Sequence, residues 1–316
     1  MSMKRCSAPG KMILFGEHAV VFGKPAFALA IDLRITATLC SSDEYLVNGR
    51  PMKKQYHAYI SSALDQAWDG PPVEIVTRSR IPSGSGLGSS AAVTVASVAS
   101  MLAERGRLEP ESVARKSFEV ELAVQGRASP TDTSTSCNGR GVLVSQEKMD
   151  GFLWRIEKGR SVWCVHNRDV PAFTFVVGHT GVRASTGPLV AKVKKLVDMD
   201  PGAAKAIDRI SELVMDGVDA VEKGDKAKVG RLMLENHELL NSIGVGHPLL
   251  DRAVEACAPL SYGAKLTGAG GGGSMIALTD DPERVSQAIA SVGCRPIVVK
   301  VGCDGVRAEQ CSPRDA

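Results

Sequence analysis

The sequence predicts an α+β protein of two domains. Strand-like apolar runs and helix-period patterns mix in both halves of the 316-residue chain, which argues for α+β or α/β and against a bundle or sandwich. The length suits two domains of ordinary size. The 32 glycines gather in short windows beside those runs.

In chain order, Ile13 to Phe15, Ala26 to Leu39 and Val73 to Ile81 read as strands. Helical spacing follows over Ser89 to Glu104 and Pro110 to Gln125. Val142 to Ser145 and Ser161 to His166 read as strands, and Pro171-Ala172 leads into another, Phe173 to Gly178. A boundary near residue 170 divides the chain into 1–170 and 171–316. Past Thr186 come helices at Pro188 to Val197, Ala203 to Glu222, Asp225 to Leu240 and Pro248 to Cys257, separated by Gly or Pro. Strands return at Ser274 to Leu278 and Pro296 to Val301, with a helix, Pro282 to Val292, between them.

The 38 basic and 35 acidic residues leave a net charge of +3, and the basic ones are scattered. No basic stripe points to nucleic acid or an anionic membrane surface. No run of about 20 apolar residues suggests a membrane span. The start of the chain lacks an apolar signal core, so a cytoplasmic setting is expected. Eight cysteines (6, 40, 137, 164, 257, 294, 303 and 311) stand singly, without metal spacing. They read as free thiols in a reducing compartment.

Four windows, 10–23, 84–88, 126–141 and 263–273, hold 15 of the 32 glycines. Backbone without side chains lets N–H groups approach a ligand closely, and phosphate is the usual ligand that needs this. The sharpest window is Pro82-Ser83-Gly84-Ser85-Gly86-Leu87-Gly88-Ser89-Ser90-Ala91-Ala92, a strand exit running into a helix of small residues. Free N–H groups and the positive helix end converge there on an anion site. The alternative is a glycine turn needed only for close helix packing. A Walker A loop is excluded, because Met12 follows Gly10-Lys11 and Pro25 follows Gly23-Lys24. The dinucleotide fingerprint fits loosely at Gly86-x-Gly88-x-x-Ala91 and strictly at Gly268-x-Gly270-x-x-Gly273, but a strand rather than a helix follows the second. No Gly-x-Ser-x-Gly elbow is present.

Three charged residues are candidates for chemistry. Lys11 lies in Ser7-Ala8-Pro9-Gly10-Lys11, read as an exposed turn before a strand, where a lysine is either functional or merely solvated. Glu121 falls within the apolar arc of its helix, beside Val113, Ala114, Phe118, Val120 and Val124, so it needs a partner, either a metal or a buried cation. Arg115 and Glu119 are spaced for a surface ion pair. Asp132 sits in a hydroxyl-rich loop stiffened by Pro130, where a helix cap or Asx turn is the ordinary role. His18 adjoins Glu17 in a tight glycine-bounded segment. The six histidines show no zinc spacing.

These segments, in this order, resemble the GHMP kinase superfamily. The first motif is Ala8-Pro9-Gly10-Lys11 with Gly16-Glu17-His18-Ala19-Val20-Val21, the second Pro82 to Ala92, and the third Lys265-Leu266-Thr267-Gly268-Ala269-Gly270-Gly271-Gly272-Gly273. Glu17 to Val21, Ser129-Pro130-Thr131-Asp132 and Asn236 to His247 are similar to its mevalonate kinase branch, in the compact archaeal or bacterial form. The resemblance implies a ribosomal S5 domain 2-like N-terminal domain that binds ATP, a ferredoxin-like C-terminal domain, and a homodimer. It implies ATP-dependent phosphorylation of the C5 hydroxyl of (R)-mevalonate with Mg²⁺, in isoprenoid synthesis. Asp132 matches the catalytic aspartate, and Lys11 the lysine beside the transferred group. Gly84, Ser85, Gly86, Leu87, Gly88, Ser89, Ser90 and Ala91 match the phosphate loop. Glu121 and one of Ser89 and Ser90 match the magnesium donors. Glu17, His18, Thr180, Gly268 and Ala269 match the substrate pocket, Thr180 through a loose version of its motif. The rivals are phosphomevalonate kinase, mevalonate 3-kinase, diphosphomevalonate decarboxylase and homoserine kinase on the same fold. More distant are a nicotinamide-dependent oxidoreductase and a kinase-like protein that only binds nucleotide. Cys137, near Asp132, is either a reactive thiol or an inert buried one.

Overall fold

The computed structural model describes residues 3–126, 128–183 and 186–310. Its first half contains β1 (Lys4–Phe15), β2 (Ala26–Ser41), β3 (Leu46–Val47), β4 (Arg50–Pro51), α1 (Ala58–Ala67), β5 (Val73–Ser79), α2 (Ser89–Glu104), α3 (Pro110–Gln125), α4 (Thr131–Asn138), β6 (Gly141–Ser145), β7 (Phe152–Lys158) and β8 (Ser161–Arg168). The second contains β9 (Thr174–His179), α5 (Thr186–Met199), α6 (Pro201–Glu222), α7 (Lys226–Ser242), α8 (Pro248–Cys257), β10 (Gly263–Thr267), β11 (Ser274–Leu278), α9 (Pro282–Ser291), β12 (Arg295–Lys300) and β13 (Arg307–Glu309).

The class is α+β, as expected, and α2 and α3 have the bounds their periodicity predicts. Other elements differ for physical reasons. β1 begins at Lys4, well before Ile13, because Cys6 to Met12 is buried without the alternation that marks a half-exposed strand. What reads as a turn at Pro9-Gly10 is a register shift in the β1–β2 ladder, where Asp32 and Leu33 of β2 have no counterpart on β1. α4 is a helix despite the sequence TDTSTSCN, whose hydroxyl residues are poor helix formers. Packing prevails there: Thr131 and Thr133 to Cys137 are buried, and α4 sits against α2, α3 and β1.

Among the described residues, nine strands form the larger sheet. β2 is its spine, pairing with β1 along one edge and with β5 and β6 along the other. α2 and α4 lie on β1 and β2, while α1 and α3 pack against α2. The smaller sheet is antiparallel, in the order β10-β11-β9-β12, with α8 on β10 and β11 and α9 on β9 and β12. The chain then turns back, and β13 pairs with β1. Arg34 clamps this return by donating to the carbonyls of Ser7, Asp304 and Gly305.

One apolar cluster joins the two sheets. Met12, Leu14 and Phe15 of β1 meet Phe175 and Val177 of β9, Ile276 of β11, and Leu213 and Val218 of α6. Each fully buried Leu or Phe contributes about 1.5–3 kcal/mol of transfer free energy. The shared core therefore fixes β1, and the residues it carries, against both halves. Among the described residues no helix is long and apolar enough to cross a membrane.

Candidate active site

The Pro82–Gly88 segment joins β5 to α2. Gly84, Gly86 and Gly88 have φ of +72°, +75° and +75°, so ordinary residues alternate with left-handed glycines. That alternation forms backbone nests for anions. No side chain caps α2, so the N–H groups of its first turn are not engaged by a capping residue. The loop is held rigidly from both sheets. Lys11 N–H donates to Leu87 O at 3.0 Å, and Ser274 Oγ donates to Ser85 O at 2.6 Å. Contact with β1 is so close that a Cβ on Gly88 would lie 2.7 Å from Lys11 Cγ. Gly88→Ala is therefore expected to displace the Lys11 side chain and lower kcat/KM for ATP by about 10- to 100-fold, as misplacements of about 1 Å do. An unchanged kcat/KM in a folded variant would refute this role of the contact.

Lys11 is not on an exposed turn. It lies inside β1 with its side chain 4% exposed, and its Nζ is 3.1 Å from Asp132 Oδ2. The same Nζ donates to Gly86 O at 3.4 Å, linking the glycine loop to the acid. Asp132 is not in a loop either: it stands in the first turn of α4, whose N-cap is Pro130, so the capping role is excluded. Its side chain is 29% exposed, open enough to meet a ligand. Glu121, on the buried face of α3 as expected, is 4% exposed. Ser89 and Ser90, both half-buried, begin α2.

Burial, and then the charge of Asp132, push the Glu121 carboxyl up to about 8, while Lys11 and a hydrogen bond from Gln125 pull the other way. The cluster is thus short of positive charge. Among the described residues no group of three His, Cys, Asp or Glu side chains could hold a metal ion. One buried carboxylate with neighbouring hydroxyls suits Mg²⁺, which binds through one or two carboxylates together with substrate phosphates rather than in a protein cage. A stability consequence follows from Glu121. Unfolded, it ionises near 4.5; folded, near 8. Between those values the folded state holds more protons, so metal-free protein loses stability as pH rises through that window. Glu121→Gln is expected to melt above wild type at pH 8.5 in EDTA, by about 2–4 °C per kcal/mol relieved, with the advantage vanishing toward pH 4.5. Equal midpoints for the two proteins at pH 8.5 would contradict it.

The third motif faces this cluster from the smaller sheet. Gly268 and Gly270 to Gly273 all have positive φ, and Val245 O accepts from Gly271 N–H at 2.8 Å. His18, with φ +61°, places Nε2 2.9 Å from Ala269 O. Its Nδ1 is buried without a hydrogen-bond partner among the described residues, and burial holds the imidazole below its usual range. With Nε2–H donating to the carbonyl, Nδ1 presents a lone pair. Glu17 stands differently from the expectation that it lines the pocket. Its side chain is 1% exposed, with Oε1 paired to Lys265 Nζ and Oε2 accepting from Asn236 Nδ2 at 3.1 Å. It anchors the segment beneath His18. Thr180 donates its hydroxyl to Gly273 O at 2.8 Å and accepts from Val182 N–H, so it fixes the glycine loop.

Sequence reasoning passed over several residues here. Lys265 was visible only as part of a motif, although a lysine in a fully buried strand demands an acid such as Glu17. Tyr59 lies in α1 and Gln125 ends α3, and neither belongs to a sequence motif. Arg115 pairs with Glu111 at 2.6 Å, not with Glu119. Cys137 is 2% exposed and burial pushes its thiol up, the inert alternative. Cys311 lies outside the described residues. A cavity of about 490 Å³ lined by Arg140, Asp169, Glu222 and Asp304, among others, shares no residue with this cluster. The cluster owes its character to placed charges and backbone groups rather than to an enclosed void.

The chain that carries this arrangement on its two sheets belongs to the GHMP kinases. The family described as GHMP kinases N terminal domain matches residues 55–140, and GHMP kinases C terminal matches 218–297. Within that superfamily the chain belongs to the mevalonate kinase family. It is 34% identical to the mevalonate kinase of Pyrococcus horikoshii over 97% of this chain and 98% of that one. To the enzyme of Archaeoglobus fulgidus it is 36% identical, over 86% and 91%. The crystal structure of L. major mevalonate kinase in complex with R-mevalonate superposes with a TM-score of 0.77 at 25% identity, covering 95% of this chain and 96% of that one.

Proposed function

We propose that the protein transfers the γ-phosphoryl group of ATP to the C5 hydroxyl of (R)-mevalonate, giving 5-phosphomevalonate and ADP for isoprenoid synthesis. The observation that carries this reading, in a chain of this family, is the 3.1 Å approach of Lys11 Nζ to Asp132 Oδ2 at the foot of the glycine loop. Asp132 accepts the hydroxyl proton, help of a kind that contributes about 10²- to 10⁴-fold. Lys11 meets the charge on the oxygen left behind and on the phosphoryl group in transit. Residues 84–91 hold the phosphates through backbone N–H groups. Glu121 and Ser89 or Ser90 would hold Mg²⁺, which would neutralise phosphate charge when bound. On the acceptor side, His18 Nδ1 accepts from a mevalonate hydroxyl while Gly268 and Ala269 close over it, with Glu17 and Thr180 fixing the pocket from behind.

The division of labour runs with the sheets. Residues 1–170 bind ATP and 171–316 complete the acceptor site, a split supported by the passage from one sheet to the other between Arg168 and Thr174. The free thiols of the described residues agree with a cytoplasmic setting, and the homodimer is inferred from the resemblance alone. ADP release should be measured with mevalonate, phosphomevalonate, homoserine and galactose as acceptors. Turnover selective for mevalonate is expected; preference for another acceptor would move the chain to that branch, and a nicotinamide absorbance change would point to the oxidoreductase.

A further inference from the structure

Glu121 is held in place by neighbours that no motif marks. Gln125, one turn along α3, donates from Nε2 to Glu121 Oε1 at 3.3 Å. The same nitrogen donates to the Tyr59 hydroxyl, on the first turn of α1, at 3.1 Å. An amide nitrogen carries two hydrogens in one plane, so two acceptors fix both its rotamer and its flip. Two helices therefore contribute to one continuous chain, Tyr59 to Gln125 to Glu121. That chain joins the carboxylate on α3 to a hydroxyl at the start of α1.

We propose that Gln125 and Tyr59 are positioning residues for the cation site: they set the direction in which the Glu121 carboxylate faces the phosphate loop. The inference rests on the reading of Glu121 as a magnesium donor and extends it to two residues outside the family motifs. A purely structural role fits poorly. Gln125 is exposed and Tyr59 half-buried, and hydrogen bonds near solvent add little to stability. Their geometric effect falls on a group that is 4% exposed and next to a second carboxylate, where an unconstrained rotamer would turn the donor oxygen away. Partners of this outer kind commonly change metal affinity by about 10- to 100-fold.

The test uses the full chain with Mn²⁺ as a paramagnetic probe, titrated by electron paramagnetic resonance in the presence of a non-hydrolysable ATP analogue. Tyr59→Phe and Gln125→Met remove the hydrogen bonds at nearly constant shape. Each is expected to weaken Mn²⁺ binding by about tenfold, with the thermal midpoint and analogue affinity in EDTA unchanged. The double variant should be no worse than the weaker single variant, because both break one chain. Activity lost at low Mg²⁺ should return at high Mg²⁺, leaving kcat near wild type. Unchanged Mn²⁺ affinity in both single variants, or a loss that merely follows a lowered midpoint, would overturn the proposal. Wild-type protein that does not phosphorylate mevalonate, yet shows these Mn²⁺ effects, would overturn the acceptor assignment and leave the positioning role standing. Active wild type with unaffected Mn²⁺ binding would do the reverse.

Discussion

Asp132→Asn is expected to lower kcat by about 10²- to 10⁴-fold with nucleotide binding retained. Asn preserves the shape of the side chain in the first turn of α4 and can still accept a hydrogen bond from Lys11, but it has no site for a proton. The structure adds a second consequence. The charge of Asp132 is one of the causes that raise Glu121, so its removal lets Glu121 ionise at lower pH. Binding of the magnesium–nucleotide complex at neutral pH should therefore hold or tighten while turnover collapses. Calorimetric nucleotide binding and single-turnover kinetics on one preparation check both halves. Near wild-type turnover would remove Asp132 as the base.

Lys11→Met should be nearly as severe, with kcat down by about 10²- to 10³-fold, the cost of losing one preorganised charge at an active centre. The substitution isolates charge from packing. Met keeps an unbranched stem against Gly88, where the lysine Cγ and Cε already crowd the backbone, and loses only the ammonium between Asp132 and Gly86 O. Because the Lys11 charge pulls Glu121 down, its loss also shifts Glu121 further up. The variant should then need higher pH to bind Mg²⁺, and its pH–rate profile should move in the alkaline direction. A rate within about tenfold of wild type would mean that the ammonium does not face developing charge.

What was legible in the sequence followed from how directly each signal maps onto structure. Four glycine windows announced themselves because tight backbone approach needs residues without side chains, and the loop at 84–88 is built that way. Glu121 was legible because a carboxylate within an apolar helical arc has no innocuous explanation. Lys11 was misplaced, since a strand buried throughout carries no alternation and Pro9-Gly10 reads as a turn even when it marks only a register shift. Asp132 reads as a loop residue because helix propensity fails for Thr131 to Asn138, where burial decides. Glu17 was visible as a site residue, but its engagement by Lys265 and Asn236 depends on contacts more than 200 positions away. Nothing local encodes such contacts. The same holds for Tyr59 and Gln125, which gain meaning only once α1 and α3 are packed.

The oxygen that receives the phosphoryl group is identifiable from the product. Incubation with ATP, Mg²⁺ and (R)-mevalonate, followed by proton-coupled phosphorus NMR of the product, identifies it directly. The expected result is a new phosphomonoester resonance split into a triplet by the two C5 methylene protons, growing with ADP and growing about 10²- to 10⁴-fold more slowly with Asp132→Asn. An unsplit resonance, the mark of an ester at the tertiary C3 oxygen, would contradict the account, as would the absence of any new phosphomonoester.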